Sequence, residues 1–269
     1  MDPLFHMTPV FLRSSKCGKN LVYLFFGALG AVRRVWEAAP AVLHRAHYGE
    51  AGLQNYAFPG ASAPTEAEVE RAWSEVESHI RALGPGAITH GHFLPDRRLI
   101  SLLSEQKVGT AFVIRDPRDA LVSMLNYARA QALPVHIAEI LNELSDEEAL
   151  QLLLDGGGRL TPFAEYFDAY HGWLSEPSVL VLRFEDLVGV AGGGDVMRQR
   201  QACAALAGLA NISSADERFA LACEHVFNPR AGTFFRGQLG AWRERFTPAI
   251  AREYERRAGW LNDRWGYGG

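Results

Sequence analysis

Short apolar runs alternate with segments of helical periodicity along the chain. PVFLR (9–13), GTAFVIR (109–115) and SVLVLRF (178–184) are rich in β-branched and aromatic residues, which is typical of strands buried in a parallel sheet. AITHGHF (87–93) has an extended pattern as well. Because strands alternate with helices, we predict an α/β fold of three layers, with a central parallel sheet flanked by helices.

Helices are predicted from the apolar periodicity and from residues that suit helix starts. They cover residues 21–36, 65–83, 99–105, 117–130 and 162–174, and the acidic segment 131–161 is also expected to be helical. Thr65 is a suitable N-cap for the helix that follows it, and Asp116 with Pro117 suits the start of the helix from 117. Residues 40–65 contain Gly and Pro without a clear period, which predicts irregular surface or a lid.

No internal repeat or clear boundary interrupts the 269 residues, so we expect residues 1–269 to form one domain. The apolar segment 21–32 resembles a signal peptide, but it is shorter than the roughly 20 residues that span a membrane. The strand predicted just before it favours a core helix instead. Cys17, Cys203 and Cys223 are widely spaced, which argues against a disulfide framework or a zinc site and favours a cytoplasmic location.

The balance of charged residues limits the kinds of molecule that the protein is expected to bind. The chain has 27 Lys and Arg against 31 Asp and Glu, a formal net charge of −4. This balance argues against broad nucleic-acid binding, which usually needs a basic face, and it is compatible with a local basic pocket. We therefore expect a small-molecule partner, and neither a nucleic acid nor a membrane.

Three polar loops follow predicted strands: SSKCGKN (14–20), RDPRD (115–119) and RFEDL (183–187). The carboxyl ends of parallel strands meet at one edge of a sheet, where ligands of such folds bind. In the first loop, Lys16 supplies a charge, Gly18 permits close approach of the backbone, and Lys19 and Asn20 can donate hydrogen bonds at a helix start. This is the outline of a phosphate-binding loop, and it does not have the GxxxxGK[ST] pattern of a Walker A loop.

The second loop contains a candidate for a second phosphate site. Arg115 ends a buried strand, where an unpaired charge is costly, and Ser123 lies about two turns into the next helix. A guanidinium group with a hydroxyl suits a phosphate. In the alternative interpretation Arg115 pairs with Asp116 or Asp119, and Ser123 only packs.

These segments, in this order, resemble the PAPS-dependent sulfotransferases, where PAPS is 3′-phosphoadenosine 5′-phosphosulfate. SSKCGKN is similar to the P-loop-like 5′-phosphosulfate loop of that family, VIRDPRDALVS to its 3′-phosphate motif, LRFEDL to its Tyr-Glu-Asp strand end, and FFRGQLGAWRERFT to its Gly-rich tail loop. The resemblance spans about residues 9–247, and the second and fourth segments are the most specific.

The resemblance implies roles for particular residues. Lys16 would contact the 5′-phosphosulfate and stabilise charge on the bridging oxygen, with Cys17, Gly18, Lys19 and Asn20 around it. Arg115 and Ser123 would hold the 3′-phosphate. The further residues implied at the nucleotide are Phe184, Phe227, Phe235, Arg236 and Gly237, of which Arg236 and Gly237 would close over the 3′-phosphate.

Some of these positions depart from the family pattern. Ser15 replaces the usual Pro, and Leu21 stands where many members have the Trp that helps to stack the adenine. Phe184 replaces a Tyr, and Phe235 stands where many members carry an Arg. Phe227 is then the candidate for adenine stacking by its place in the chain.

Sulfuryl transfer needs a base for the acceptor hydroxyl, and His suits neutral pH. His90 and His92 lie two residues apart, so an extended segment directs both to one face. In the family that the chain resembles, the histidine is followed closely by Leu-Pro, and the spacing to FLP therefore favours His92. The pair Thr89–His90 instead matches the Thr-His pair that is common in the family. No metal need be invoked, because Lys and Arg can neutralise the developing charge.

We therefore expect a sulfotransferase that moves a sulfuryl group from PAPS to a small alcohol or phenol, such as a natural product, and releases 3′-phosphoadenosine 5′-phosphate (PAP). The alternatives are a P-loop-type kinase, which Asn20 after Lys19 disfavours, and an inactive nucleotide-binding protein of the same fold. The segment RERFTPAIAREYE (243–255) partly resembles a tail through which some family members dimerise, and the oligomeric state is left open.

Overall fold

The computed structural model describes residues 10–14, 19–34, 39–48, 63–132, 135–157, 160–215, 217–227 and 239–268. The chain divides into two compact units. The first unit comprises residues 1–40, 70–115 and 172–239, and the second comprises residues 41–69, 116–171 and 240–269. The single domain expected from the sequence stays a prediction.

The first unit contains a parallel sheet of five strands. These are β1 (Val10–Ser14), β2 (Val32–Arg33), β3 (Ala87–His90), β4 (Gly109–Ile114) and β5 (Val179–Arg183), in the order β2-β3-β1-β4-β5. Leu12 of β1 is level with His90 on one side and with Ala111 on the other. The predicted α/β class with a central parallel sheet is confirmed.

The burial of β4 and β5 follows from their positions inside the sheet and at its end. In β4 every residue after Gly109 is buried, as expected for an inner strand covered on both faces. β5 at one end of the sheet is mostly half-buried, although its apolar run had predicted a fully buried strand. It pairs with β4 alone among the described strands, so one side of it lacks a neighbouring strand.

The described helices of the chain are α1 (Lys19–Ala28), α2 (Ala39–Tyr48), α3 (Glu66–Arg81), α4 (Arg97–Glu105), α5 (Pro117–Tyr127), α6 (Val135–Glu143), α7 (Asp146–Asp155), α8 (Phe163–Asp168), α9 (Phe184–Leu187), α10 (Val196–Leu209), α11 (Glu217–His225), α12 (Trp242–Arg245), α13 (Pro248–Ala258) and α14 (Trp260–Arg264). A π-helical turn, Ala128–Ala132, extends α5, and 3₁₀ turns lie at His171–Ser175 and Val190–Gly192.

Around the sheet, α1 packs on β1, β3 and α11, and α10 packs on β4 and β5. The side chains of Val22, Phe25 and Phe26 in α1 are fully buried. The apolar segment that resembles a signal peptide thus forms a core helix in this fold. In the second unit α13 contacts α7, α8 and α14, and the aromatic side chains Phe163, Tyr166, Phe167 and Tyr170 are buried.

Two segments differ from the sequence prediction. The helix expected over 21–36 ends at Ala28, because a turn follows in which Gly30 has a φ of 89°, and the chain then enters β2. Residues 39–48 form α2, whereas irregular structure was expected from 40 to 65. Pro40 lies in the first turn of α2, where a proline is compatible with a helix because no intrahelical N–H bond is lost there.

Candidate active site

The carboxyl edge of the sheet carries the candidate residues of the first unit. β3 ends at His90, β4 is followed by Arg115, and β5 is followed by Phe184. The connection after β1 leads toward the β3 side of the sheet, and the one after β4 leads toward β5. The topological switch point, which is the usual ligand site of such sheets, therefore lies between β1 and β4.

Arg115 is a buried cation next to this switch point. Only 7% of the residue is exposed, and its guanidinium carbon lies 4.2 Å from the centroid of the Phe184 ring. The face of an aromatic ring attracts a cation, and this attraction strengthens when water is excluded. Phe184 thus contacts Arg115 from the start of α9, a contact that the sequence did not predict.

The alternative partners considered for Arg115 are engaged at the start of α5. Asp116 caps the helix by accepting from the backbone N–H of Arg118, and both of its oxygens accept from the guanidinium of Arg118, at 2.7–3.2 Å. The N-cap predicted from the sequence is therefore confirmed. Asp119 is buried, at 2% exposure, and accepts from the backbone N–H groups of Gly240 at 2.8 Å and Trp242 at 3.1 Å.

Asp119 thereby holds the backbone that follows the tail segment FFRGQLG. The Trp242 ring lies between two guanidinium groups, those of Arg118 at 4.5 Å and Arg243 at 4.6 Å from its centroid. The start of α5 and the chain from Gly240 to Trp242 are joined by these contacts within the second unit. The sequence had suggested Asp119 as an alternative partner of Arg115 and did not predict its contacts with Gly240 and Trp242.

His90 ends β3 and forms a hydrogen bond with Tyr23 of α1. The Tyr23 hydroxyl contacts Nδ1 of His90, and the two rings meet edge to face with centroids 5.1 Å apart. The guanidinium of Arg33 lies over the Tyr23 ring, 4.7 Å from its centroid. Burial raises the pKa of the Tyr23 hydroxyl well above its ordinary value, against the opposing charge of Arg33, so Tyr23 stays a neutral phenol.

Thr89, the residue before His90, has a structural role on the other face of the sheet. It is fully buried, donates to the backbone carbonyl of Arg34 at 3.1 Å, and lies 3.0 Å from Nε2 of His79. Successive side chains of a strand point to opposite faces, so Thr89 is directed away from the face that His90 occupies. In the Thr-His pair, Thr89 is therefore fixed by hydrogen bonds on one face of the sheet, and His90 lies on the opposite face.

His92 lies in the segment after β3 and is buried, at 8% exposure. The neighbouring Phe93 is also buried, and its carbonyl accepts from the indole N–H of Trp173 at 3.1 Å. A Cβ atom at Gly91 would overlap the Phe93 ring, so this position accepts only glycine without rearrangement. The two histidines thus have different surroundings, although both follow the same strand.

The remaining candidates are only partly covered by the described residues. Asn20 is half-buried in the first turn of α1, and Ser123 is half-buried in α5 of the second unit. Phe227 is half-buried, and its ring lies close to Gly192. The candidates outside the described residues are Lys16, Cys17, Gly18, Phe235, Arg236 and Gly237, and for Lys19 only the backbone is described.

Tyr23 and Arg33 are the site neighbours that sequence reasoning missed. The side chain of Tyr23 is presented by an apolar helix, and its partner His90 lies 67 residues further along the chain. No spacing rule connects two such positions. The strand order, which places β3 next to β1, is the information that brings them together.

Within the described ranges, no group of three or more His, Cys, Asp or Glu side chains is arranged to hold a metal ion. No helix among those ranges is long and apolar enough to cross a membrane.

In fold, the chain is similar to proteins crystallised with PAP. Mouse sulfotransferase SULT7A1 complexed with PAP aligns with a TM-score of 0.57 and 14% identity, over 97% of this chain and 89% of the mouse chain. Retinol dehydratase with retinol and PAP aligns with a TM-score of 0.54 and 18% identity, over 97% of this chain and 83% of the other. At this identity the likeness establishes a common fold. No curated protein matches the chain in sequence.

The sequence model of a protein family, described as the sulfotransferase domain, matches residues 13–190 of this chain. The match covers more than half of the chain. The chain belongs to the sulfotransferase family. The class of enzyme expected from the sequence, a PAPS-dependent sulfotransferase, is thereby confirmed at the level of the family.

Proposed function

We propose that this protein transfers the sulfuryl group of PAPS to a hydroxyl of a small-molecule acceptor and releases PAP. The observation that carries the proposal is Arg115, a buried cation at the end of β4 beside the switch point of the sheet. A guanidinium at the end of a strand beside the switch point can bind an anion there, and the 3′-phosphate of the nucleotide suits it in charge and in geometry. The solved structures with PAP support the same class of ligand.

The nucleotide site that we propose combines residues from several loops. Lys16, Cys17, Gly18, Lys19 and Asn20 would surround the 5′-phosphosulfate at the start of α1. Arg115 and Ser123 would bind the 3′-phosphate, and Phe235, Arg236 and Gly237 would close over it. Phe184 supports Arg115 by its ring contact, and Phe227 is the candidate for stacking on the adenine.

The proposed reaction is an in-line displacement at sulfur. The acceptor oxygen forms a new bond to sulfur, while the bond between sulfur and the bridging oxygen breaks and its electron pair leaves with PAP. The acceptor proton passes to an imidazole nitrogen of His92 or His90, and Lys16 stabilises the charge on the leaving oxygen. The proposed reaction needs no metal, because positively charged side chains neutralise the charge that develops on the leaving oxygen.

The acceptor that we propose is a small alcohol or phenol. Retinol dehydratase, which shares the fold, has been crystallised with retinol and with androsterone, both small molecules. The net charge of −4 also disfavours a long polyanionic glycan as the acceptor. We further propose a cytoplasmic location, because Cys203 and Cys223 are free thiols and the three cysteines of the sequence do not form a disulfide or zinc pattern.

Calorimetric titration with PAP, and separately with ATP and magnesium, tests the donor. We expect PAP to bind with or without a chelator, and PAPS to support sulfation when simple phenols and alcohols are supplied. Arg115→Ala should abolish measurable PAP binding, whereas Arg198→Ala, which removes an exposed arginine of α10, should leave it unchanged.

Magnesium-dependent binding of ATP without binding of PAP would contradict the proposal and favour a kinase. Binding of PAP without any turnover of PAPS would instead favour an inactive nucleotide-binding protein.

A further inference from the structure

Cys203 and Cys223 are two thiols of the first unit that the proposed sulfuryl transfer does not use. Cys203 lies in α10 and Cys223 in α11, and both are free cysteines. Their thiols form a side-chain hydrogen bond with each other, so the two sulfur atoms are in direct contact. Contact between two free thiols is the geometric requirement for a disulfide bond.

The packing of α10 on α11 explains why the two thiols meet. The buried positions of each helix recur at intervals of three and four residues, so each helix buries one face. Apart from Leu206 and Phe219, the residues of these faces are small: Ala202, Cys203 and Ala207 in α10, and Ala222 and Cys223 in α11. Small side chains permit a short distance between helix axes, and a disulfide needs Cα atoms about 4.4–6.8 Å apart. The thiol pair can therefore close with little movement of either helix.

The surroundings of the two thiols differ, which sets the order in which they react. Cys203 is fully buried, whereas 7% of Cys223 is exposed. Burial raises the pKa of both thiols above the ordinary value. At Cys223 the hydrogen bond from Cys203 and the charge of Arg200 act against burial and lower the pKa, whereas the charge of Glu224 raises it. Because the thiolate is the reactive form, Cys223 is the thiol that attacks a reagent first, and Cys203 is the thiol that resolves the product.

We propose that Cys203 and Cys223 form a redox modification site, at which hydrogen peroxide converts the two thiols into a disulfide. In the first step the Cys223 thiolate bonds to one peroxide oxygen, the O–O bond breaks, and the leaving hydroxide takes up the proton that Cys223 released. The sulfur of Cys203 then bonds to that of Cys223, and the S–O bond breaks with loss of a second water, which carries the Cys203 proton. Two thiols are oxidised, and one peroxide is reduced to two molecules of water.

The position of the pair determines what the cross-link does to the fold. α10 packs on β4 and β5, whereas α11 packs on α1, which in turn packs on β1 and β3. The disulfide therefore joins helices that cover the two sides of the sheet meeting at the switch point. It closes the segment 203–223 into a covalent loop, which restricts the unfolded chain and raises the resistance to unfolding. In a reducing compartment such a bond forms only during oxidative exposure, and thiol reductants reverse it.

The experiment treats the reduced, folded full chain with hydrogen peroxide, removes the excess with catalase, and measures intact mass, free thiols and disulfide-linked peptides. We expect the mass to fall by that of two hydrogen atoms, and the thiols counted after denaturation to fall from the three of the sequence to one. The linked peptides should contain Cys203 and Cys223. The midpoint of thermal unfolding should rise by about 5 °C or more, and dithiothreitol should reverse the rise.

Cys17→Ser is the matched control, because it removes the third cysteine, which lies outside the described residues, and should keep both the disulfide and the thermal shift. In that background, Cys203→Ala and Cys223→Ala test the order of reaction with dimedone, which traps a sulfenic acid. We expect the labelling of Cys223 in Cys203→Ala to exceed that of Cys203 in Cys223→Ala by about fivefold or more, and neither variant to show the thermal shift.

Three free thiols after peroxide treatment would overturn this inference, as would a disulfide that involves Cys17 or links two chains. Preferential labelling of Cys203 by dimedone would overturn the assigned order of reaction. A protein that forms the disulfide but releases no PAP from PAPS would overturn the proposed function and leave this inference intact.

Discussion

At the scale of single residues, the contact between Arg115 and Phe184 links the core of the sheet to the proposed 3′-phosphate site. Phe184→Leu removes the ring and keeps an apolar side chain in its place. A cation–ring contact contributes about 0.5–2 kcal/mol, so we expect PAP to bind roughly 2- to 30-fold more weakly. Titration calorimetry measures this directly.

The matched comparison for that prediction is Phe184→Tyr, which restores the residue usual in the family and keeps the ring face. It should bind PAP at least as well as the wild type. Equal affinity in Phe184→Leu and the wild type would show that the ring does not support Arg115.

We expect His79 to make the stability of the fold depend on pH. Burial lowers its pKa below the ordinary value of 6.5, the charge of Arg34 lowers it further, and Glu75 opposes both effects. The unfolded chain therefore binds a proton at a pH where the folded chain does not, and the free energy of unfolding should fall as the pH drops below about 6.5. Urea denaturation at pH 7.5, 6.5 and 5.5 measures the effect.

The variant His79→Gln isolates the contribution of this group. Its amide can still bond to the Thr89 hydroxyl but cannot titrate. We expect a smaller loss of stability between pH 7.5 and 5.5 than in the wild type. An identical pH dependence in the two proteins would assign the effect to other groups.

At the scale of elements, the start of α5 fixes the chain that follows the tail segment, because Asp119 accepts hydrogen bonds from Gly240 and Trp242. Asp119→Asn keeps the size of the side chain but turns one acceptor into an N–H donor that faces a backbone N–H. We expect the free energy of unfolding to fall by about 1–3 kcal/mol, because a buried donor is left unsatisfied. PAP should bind more weakly as well, since the resemblance places Arg236 and Gly237 shortly before the anchored Gly240.

Denaturation and PAP titration of the same preparation check both parts of this prediction. Glu165→Gln, an exposed change of the same chemical type on α8, is the control and should alter neither quantity. Weaker PAP binding with unchanged stability would mean that Asp119 acts on the ligand by another route.

The elements with strong local signals were predictable from the sequence. The run GTAFVIR followed by Asp116 and Pro117 predicted β4, its end and the start of α5, because burial, capping and the fixed φ of proline all act locally. The end of α1 was not predictable in the same way. Its apolar pattern continues through Val32, and only the turn at Gly30 and the pairing of β2 with β3 stop the helix.

The candidate site likewise contains residues whose placement follows from local sequence and contacts that depend on the tertiary structure. The burial of Arg115 was predictable, since this residue directly follows a continuous apolar run. The contacts of Tyr23 with His90 and of Asp119 with Gly240 depend on pairs that are 67 and 121 residues apart in the chain. They follow from strand order and helix packing, which periodicity does not encode.

At the scale of the whole molecule, PAP should stabilise the folded chain by mass action. A ligand that binds only the folded state at 100 times its Kd raises the free energy of unfolding by about 2.7 kcal/mol. We expect thermal unfolding to shift upward with PAP and to shift little in Arg115→Ala. A shift with ATP and magnesium alone would count against the proposed donor.

The two-residue strand β2 has a consequence for the behaviour of the protein at high concentration. Unpaired strand backbone invites intermolecular pairing, which leads to aggregation, and short strands flanked by positive charge resist it. β2 offers only Val32 and Arg33, followed by Arg34, and its residues are exposed. We therefore expect Arg33, whose guanidinium lies over Tyr23, also to disfavour self-association at this end of the described sheet.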